Sequence, residues 1–110
     1  MRNVEVDVPT DYDLDAVEKV IETLCTREGL SRKTKRTLRS HPGCAHWHYR
    51  MGRETGTLEI TISPEESKIF FSVHDNRKGS WTYEYADRLA MATRRALAPH
   101  RKRITSILLT

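Results

Sequence analysis

The middle of this 110-residue chain alternates apolar and polar residues in three consecutive runs, and this pattern limits its fold more than any other feature. The runs are residues 46–50, 57–62 and 68–74, with Gly, Pro and Ser residues between them. Alternation with a period of two is typical of β-strands that bury one face only. We therefore predict three consecutive antiparallel strands.

The connection between the second and third runs fixes their register. If residues 64–67 form the turn, apolar residues of the two strands face each other on the buried side. The facing pairs are Ile62 with Ile69, Ile60 with Phe71, and Leu58 with Val73. The first strand adds Trp47, Tyr49 and Met51 to the same side.

The opposite face of these strands is polar and rich in imidazole. It carries His46, His48, Arg50, Thr57, Glu59, Thr61, Phe70, Ser72 and His74. The loop between the first two strands leaves two registers open, so Glu59 lies opposite either Arg50 or His48. As residues that contact a partner through this face we select His46, His48, Glu59, Phe70 and His74.

Two segments carry apolar residues at helical spacing. The first predicted helix begins after a capping pair at Thr10 and Asp13 and ends at Gly29. Its apolar stripe consists of Leu14, Val17, Ile21, Leu24 and Cys25. The second predicted helix begins after an N-cap at Ser80 and ends at Pro99. Its apolar stripe consists of Trp81, Tyr85, Leu89, Ala92 and Ala96. Residues 31–39 are predicted to form a short helix anchored by Leu38, and residues 4–8 a short strand.

Together these elements predict an α+β fold in a single domain of residues 1–110. Its central part has the order helix, three strands, helix, and the three strands form an antiparallel sheet. A further strand lies at the N-terminus, and the two main helices pack on one face of the sheet. Residues 104–110 are expected to form an apolar tail or a terminal strand. The order of the central elements is similar to that of double-stranded-RNA-binding domains, although no Gly-Pro-His element follows the first strand.

Charge is distributed unevenly along the chain. Residues 1–30 hold 3 basic and 8 acidic side chains, whereas residues 31–110 hold 16 and 7. The basic part favours a polyanionic partner such as nucleic acid, unless the acidic first helix neutralises it within the fold or in a neighbouring subunit. The predicted nucleic-acid-binding residues are Arg32, Lys33, Lys35, Arg36, Arg39, Arg50, Arg77 and Lys78.

Targeting and redox signals are sparse. No run approaches the roughly 18 apolar residues of a membrane span, and the first residues lack the apolar core of a secretion signal. We therefore expect a cytoplasmic protein with no membrane partner. Its two cysteines, Cys25 and Cys44, are expected to be free thiols, because disulfides are rare in that compartment.

The sequence also contains residues of the types that bind metals or take part in catalysis. Cys44, His46 and His48 share one side of a predicted strand, with Glu59 or His74 as a fourth ligand. Same-side neighbours on a strand are about 7 Å apart, however, so one ion cannot reach three in a row without distortion. No phosphate-binding loop, nucleophile elbow or carboxylate pair is present either. We therefore assign no metal ligand, no cofactor and no catalytic residue.

Two functions are favoured, and a metal or small-ligand site around His46 and His48 is a third alternative. The first is a non-enzymatic module that contacts nucleic acid through basic helices and the His-rich face, where Phe70 and imidazoles stack on bases. The alternative is a protein-interaction or regulatory module that self-associates as a homodimer through the same face and the C-terminal tail. Such association would depend on pH, because imidazole titrates near about 6.5 in peptides.

Overall fold

The computed structural model describes the backbone of residues 1–9, 12–37 and 44–109, and the side chains of 1–9, 12–33 and 44–98. The described strands are β1 (Arg2–Asp7), β2 (Ser31–Thr37), β3 (Ala45–Arg50), β4 (Leu58–Ser63) and β5 (Lys68–Val73). Helix α1 (Leu14–Arg27) lies between β1 and β2 in sequence. A 3₁₀ turn (Asp75–Arg77) and helix α2 (Thr82–Leu109) follow β5.

The described strands form one antiparallel sheet in the order β1-β5-β4-β3-β2, which confirms the α+β class. The predicted register of β4 and β5 is confirmed, because Ile62 pairs with Ile69 and Ile60 with Phe71. Of the two registers left open for Glu59, the structure has the one that places it opposite His48.

The prediction of a short helix over residues 31–39 is wrong. Residues 31–37 form edge strand β2, which pairs with β3 and contains a bulge between Arg32 and Lys35. The segment has no apolar residue that a helix could bury, and its two threonines favour extended backbone. Leu38 and Arg39 lie outside the described residues. Four described strands therefore separate the helices, and the predicted three-strand order is wrong.

One face of the sheet and both helices share a single hydrophobic core. The buried side chains of α1 are Val17, Ile21 and Cys25, as its stripe predicts. The helix is capped by Asp13 itself, whose carboxylate accepts the Asp15 N–H at 3.0 Å, whereas Thr10 lies outside the described residues. Sheet side chains in this core include Val6, Trp47, Tyr49, Leu58, Ile60, Ile62, Ile69, Phe71 and Val73.

The buried stripe of α2 is displaced from the predicted one. Its members are Ala86, Leu89, Ala90, Thr93 and Leu97, while Ala96 is exposed. Trp81 is buried in the same core but precedes the helix, and its indole N–H donates to the Thr55 carbonyl at 3.0 Å. The predicted stripe is displaced because its helical spacing is counted from Trp81, a residue that lies outside the helix.

Helix α2 continues past Pro99 to Leu109, so its predicted end at Pro99 is wrong, and residues 104–109 belong to the helix and not to a strand. Proline removes one backbone donor, but its φ suits a helix, and the Arg, Lys and Leu residues that follow are good helix formers.

Raising the pH above about 9 is expected to destabilise the fold through Cys25. Burial raises the pKa of this thiol from 9.0 to about 12, so the folded chain keeps a proton that the unfolded chain releases. The contribution of the protonated thiol to stability is complete below pH 9 and is lost as the pH rises towards 12, by about 1.4 kcal/mol per pH unit.

Urea titrations at a series of pH values test this expectation. Cys25→Ala should flatten the fall in unfolding free energy between about pH 9 and 10. Above pH 10 the fall should persist in the variant, because burial also raises the pKa of the Tyr49 phenol from 10.0. Val17→Ala, a truncation of the same helix face without a titrating group, should lower stability but keep the wild-type slope. A Cys25→Ala slope equal to that of the wild type would contradict the assignment.

Candidate functional site

Three histidines converge on one carboxylate on the sheet face opposite the helices. His46 Nε2 lies 2.7 Å from Glu59 Oε1, and His48 Nε2 lies 4.0 Å from the same oxygen. His74 Nε2 lies 2.6 Å from the other oxygen, Oε2. We call these four residues the His–Glu cluster.

Strand geometry explains this convergence. His46 and His48 are two residues apart on β3, so both side chains leave the same face, and their ring centroids are 5.1 Å apart. Glu59 on β4 pairs directly with His48 in the register of the sheet. His74 follows the last residue of β5, the strand on the other side of β4. Three neighbouring strands therefore contribute to the cluster.

The cluster is partly shielded from water by its neighbours. The exposed fractions of the side chains are 15% for His46, 17% for Glu59, 27% for His48 and 46% for His74. His46 Nδ1 is also 2.9 Å from the Thr61 hydroxyl, which pairs with it across the strands. The alternating pattern predicts Thr61 on this face, two residues after Glu59, but Thr61 is not among the contact residues selected from the sequence.

Phe70 extends the same face on β5. It is half-buried, and its register partners are Thr61 on β4 and Glu5 on β1. Towards β1 the charges are paired, because Glu5 accepts from Lys68 at 2.8 Å and thereby raises the pKa of that amine. The β1 side of the face therefore carries two carboxylates, Glu5 and Asp7, and one amine, Lys68.

The opposite edge of the sheet is basic. Strand β2 contains Arg32, Lys33, Lys35 and Arg36 and no acidic residue, so these four cations lie on a strand and not on the expected helix. Arg36 is in register with His46, and Arg50 at the end of β3 is in register with Ser31. Arg39, the remaining cation of this group, lies outside the described residues.

Arg77 and Lys78 lie at the β3–β4 loop end of the sheet. Arg77 belongs to the 3₁₀ turn, and its carbonyl accepts the Thr57 N–H at 2.9 Å just before β4 begins. This contact brings the turn next to the start of β4, whose neighbour β3 ends nearby at Arg50. Both residues are exposed.

Several other cations are paired with acids inside the fold. Arg88 on α2 contacts both oxygens of Glu28, at 2.9 and 3.1 Å, and the Arg32 guanidinium lies 3.6 Å from Glu22 of α1. The acidic first helix therefore neutralises part of the basic charge, as one of the sequence-based alternatives proposed. The cations that border the open face belong to the strands and to the 3₁₀ turn.

The ligand set with Cys44 that was considered from the sequence is not assembled. Cys44 is buried and precedes β3, and among the described side chains it does not join the group whose ligand atoms could share one ion. His74 turns to Glu59, while Asp75 accepts from the Met1 ammonium group at 2.6 Å. His74 and Asp75 are therefore not a base and orienting acid.

Comparisons with protein-family models, curated proteins and solved structures find no match to this chain. Within the described ranges, neither helix combines the length and apolar content needed to cross a bilayer. The function must therefore be inferred from the chemistry of the open face and its basic border.

Proposed function

We propose that this protein is a non-enzymatic module that binds single-stranded nucleic acid across the open face of its sheet. In this proposal, phosphates contact the basic border and bases stack on Phe70 and on imidazoles of the His–Glu cluster. The supporting observation is the position of β2, an acid-free edge strand with four cations, next to the strand that carries His46 and His48.

Electrostatics supplies most of the expected affinity. Each phosphate neutralised by Lys or Arg releases condensed counterions, so binding strengthens as salt is lowered. Lys33 and Arg36 of β2 form one part of the basic border, since Arg36 is in register with His46, and Arg50, Arg77 and Lys78 extend it around one end of the sheet. Arg32 and Lys35 are in register with the buried Tyr49 and Trp47, and Arg32 lies against Glu22 of α1, so neither is counted in this border. A flexible strand of phosphates could follow this line.

Stacking would supply the second contribution. Phe70 and His46 lie in the same register row, separated only by Thr61 of β4. Two strand spacings place them about 10 Å apart, so a nucleic-acid strand crossing the sheet could stack a base on each. Stacking of this kind contributes about 1–3 kcal/mol per base and tolerates any sequence.

The composition of the face favours nucleic acid over self-association. Stable homodimer interfaces have an apolar core. Among the described residues, the large hydrophobic side chains that are well exposed are Met1, Tyr83 and Met91, and none belongs to a strand. Phe70 is the aromatic residue of a face otherwise lined by polar groups.

Charge reversal along the border is expected to weaken binding roughly 30-fold or more at low salt. The variant is Lys33→Glu, Arg36→Glu and Arg50→Glu together, measured by fluorescence anisotropy with a labelled single-stranded 12-mer of mixed sequence. The matched control reverses three exposed cations of the helices, Lys19, Arg27 and Arg95, and has the same net charge. The control should retain affinity within about threefold, and its salt dependence should match the wild type.

Phe70→Ala provides a second readout in the same assay. It should weaken binding about fivefold or more while leaving the salt slope unchanged, because it removes stacking and no charge. Equal losses in the two triple variants, or no binding by the wild-type chain, would contradict the proposal. A dimer in sedimentation that Phe70→Asp converts to monomer would favour self-association instead.

A further inference from the structure

We infer that His46, His48 and Glu59 form a binding site for a late transition-metal cation of the Zn²⁺ class. The ligand atoms of these three side chains all lie within 4.8 Å of one another. This site shares His46 and His48 with the proposed nucleic-acid face, but it does not rest on that function, because it can be occupied and measured without nucleic acid.

Two of the three distances between donor atoms, those from each histidine to Glu59, are close to the separation that a tetrahedral ion requires. Zn²⁺ binds imidazole nitrogen and carboxylate oxygen at about 2.0–2.2 Å, which separates neighbouring donors by about 3.3 Å. The His46 contact with Glu59 Oε1 at 2.7 Å would widen by about 0.6 Å, and the His48 contact at 4.0 Å would close by about 0.7 Å. Small side-chain rotations on fixed strands provide both changes.

The three ligands come from two paired strands, which removes the objection to three ligands in a row on one strand. Three consecutive same-side residues cannot reach one ion, but here two ligands come from β3 and the third from its partner β4. The Cα pairing of His48 with Glu59 holds the carboxylate directly opposite the histidine pair.

The surrounding contacts are of the kind that orient metal ligands. A ligating histidine usually bonds through its second ring nitrogen, and a ligating carboxylate is itself hydrogen-bonded. His46 Nδ1 lies 2.9 Å from the Thr61 hydroxyl, which leaves Nε2 directed at the site. Glu59 Oε2 lies 2.6 Å from His74 Nε2, so His74 is assigned as a positioning residue that holds the carboxylate.

The donor set determines which ions should bind. Two imidazoles and one carboxylate suit Zn²⁺, Cu²⁺, Co²⁺ and Ni²⁺, whereas Mg²⁺ and Ca²⁺ prefer oxygen donors only. Three protein ligands leave a fourth position for water or another small ligand. The expected occupant is therefore Zn²⁺ or a similar ion, with Mg²⁺ excluded.

The test uses the full-length, untagged chain after treatment with a chelator. Zn²⁺ is titrated in competition with a chromogenic chelator, and Co²⁺ is added separately to record ligand-field absorption. The wild type should bind one equivalent, with tetrahedral Co²⁺ absorption. His46→Ala, His48→Ala and Glu59→Gln should each weaken Zn²⁺ binding roughly 100-fold or more. The matched control is His100→Ala, a histidine of α2, which should bind as the wild type does.

His74 is tested by two variants in the same titration. His74→Ala should weaken binding about tenfold, and His74→Gln, which retains an N–H donor, should restore most of the loss. Circular dichroism and thermal unfolding without metal check that each variant folds, and Glu59→Gln keeps the test decisive should a histidine variant unfold.

Two results would overturn the site. One is a His46→Ala, His48→Ala double variant that binds Zn²⁺ as tightly as the wild type. The other is equal affinity for Zn²⁺ in the wild type and in Glu59→Gln. Losses for His74→Ala as large as those for His46→Ala would overturn the assignment of three ligands with one positioning residue.

Discussion

Replacing Trp47 with alanine is expected to lower the free energy of unfolding by about 4 kcal/mol. Trp47 has no exposed surface and is among the largest fully buried side chains of the described core. It belongs to β3 and pairs with Ile60 on β4 and with Lys35 on β2, so its ring fills the core beneath several strands. Alanine would leave a cavity that the rigid sheet cannot close.

Urea denaturation of the purified chain measures the effect. Trp47→Phe is the matched control, since it keeps an aromatic ring in the same place and is expected to cost only about 1 kcal/mol. Tyr83→Ala, which truncates an exposed aromatic on α2, should change stability by less than about 0.5 kcal/mol. A loss below about 1.5 kcal/mol for Trp47→Ala would show that the core rearranges around the vacancy.

Gly79→Ala is expected to cost about 3 kcal/mol of unfolding free energy. Gly79 lies just before α2, where its backbone passes against the loop between β3 and β4. An added Cβ would overlap the Thr55 carbonyl oxygen and would lie 2.7 Å from the Thr55 carbonyl carbon. These are backbone atoms, so relief requires the loop and the start of α2 to separate. Separation would also weaken the hydrogen bond from Trp81 to Thr55.

Gly52→Ala is a control that measures the cost in stability of backbone strain without steric overlap. Gly52 has a φ of +51°, which an L-residue adopts only with strain, but an added Cβ would have no atom within 4 Å. It should therefore cost about 1–2 kcal/mol. Thermal and urea unfolding of both variants give the comparison, and a loss for Gly79→Ala no larger than that for Gly52→Ala would contradict the close packing.

The central strands could be predicted because alternation, turn residues and apolar pairing all indicate one register. The buried pairs Ile62–Ile69 and Ile60–Phe71 follow from that pattern. Strand β2 could not be predicted in the same way, because residues 31–37 contain no apolar residue and therefore no period. Its structure comes from pairing with β3, a tertiary interaction that local sequence does not encode.

The candidate site could also be predicted from the sequence only in part. The sequence predicted that His46, His48 and His74 share a polar face, because strand parity alone decides which side a residue takes. It did not predict their convergence on Glu59, which depends on the length of the loop between β3 and β4 and on the pairing of His48 with Glu59. The role of Thr61 depends on the same register.

The bulge between Arg32 and Lys35 also protects this protein against edge-to-edge polymerisation. A regular outer strand offers unpaired amide groups to any other extended chain, which is a common route to aggregates. A bulge twists the strand and interrupts its ladder, and the lysines and arginines of β2 would repel the same segment of a second molecule. The bulge and the charges of β2 therefore oppose pairing between molecules at this edge of the sheet.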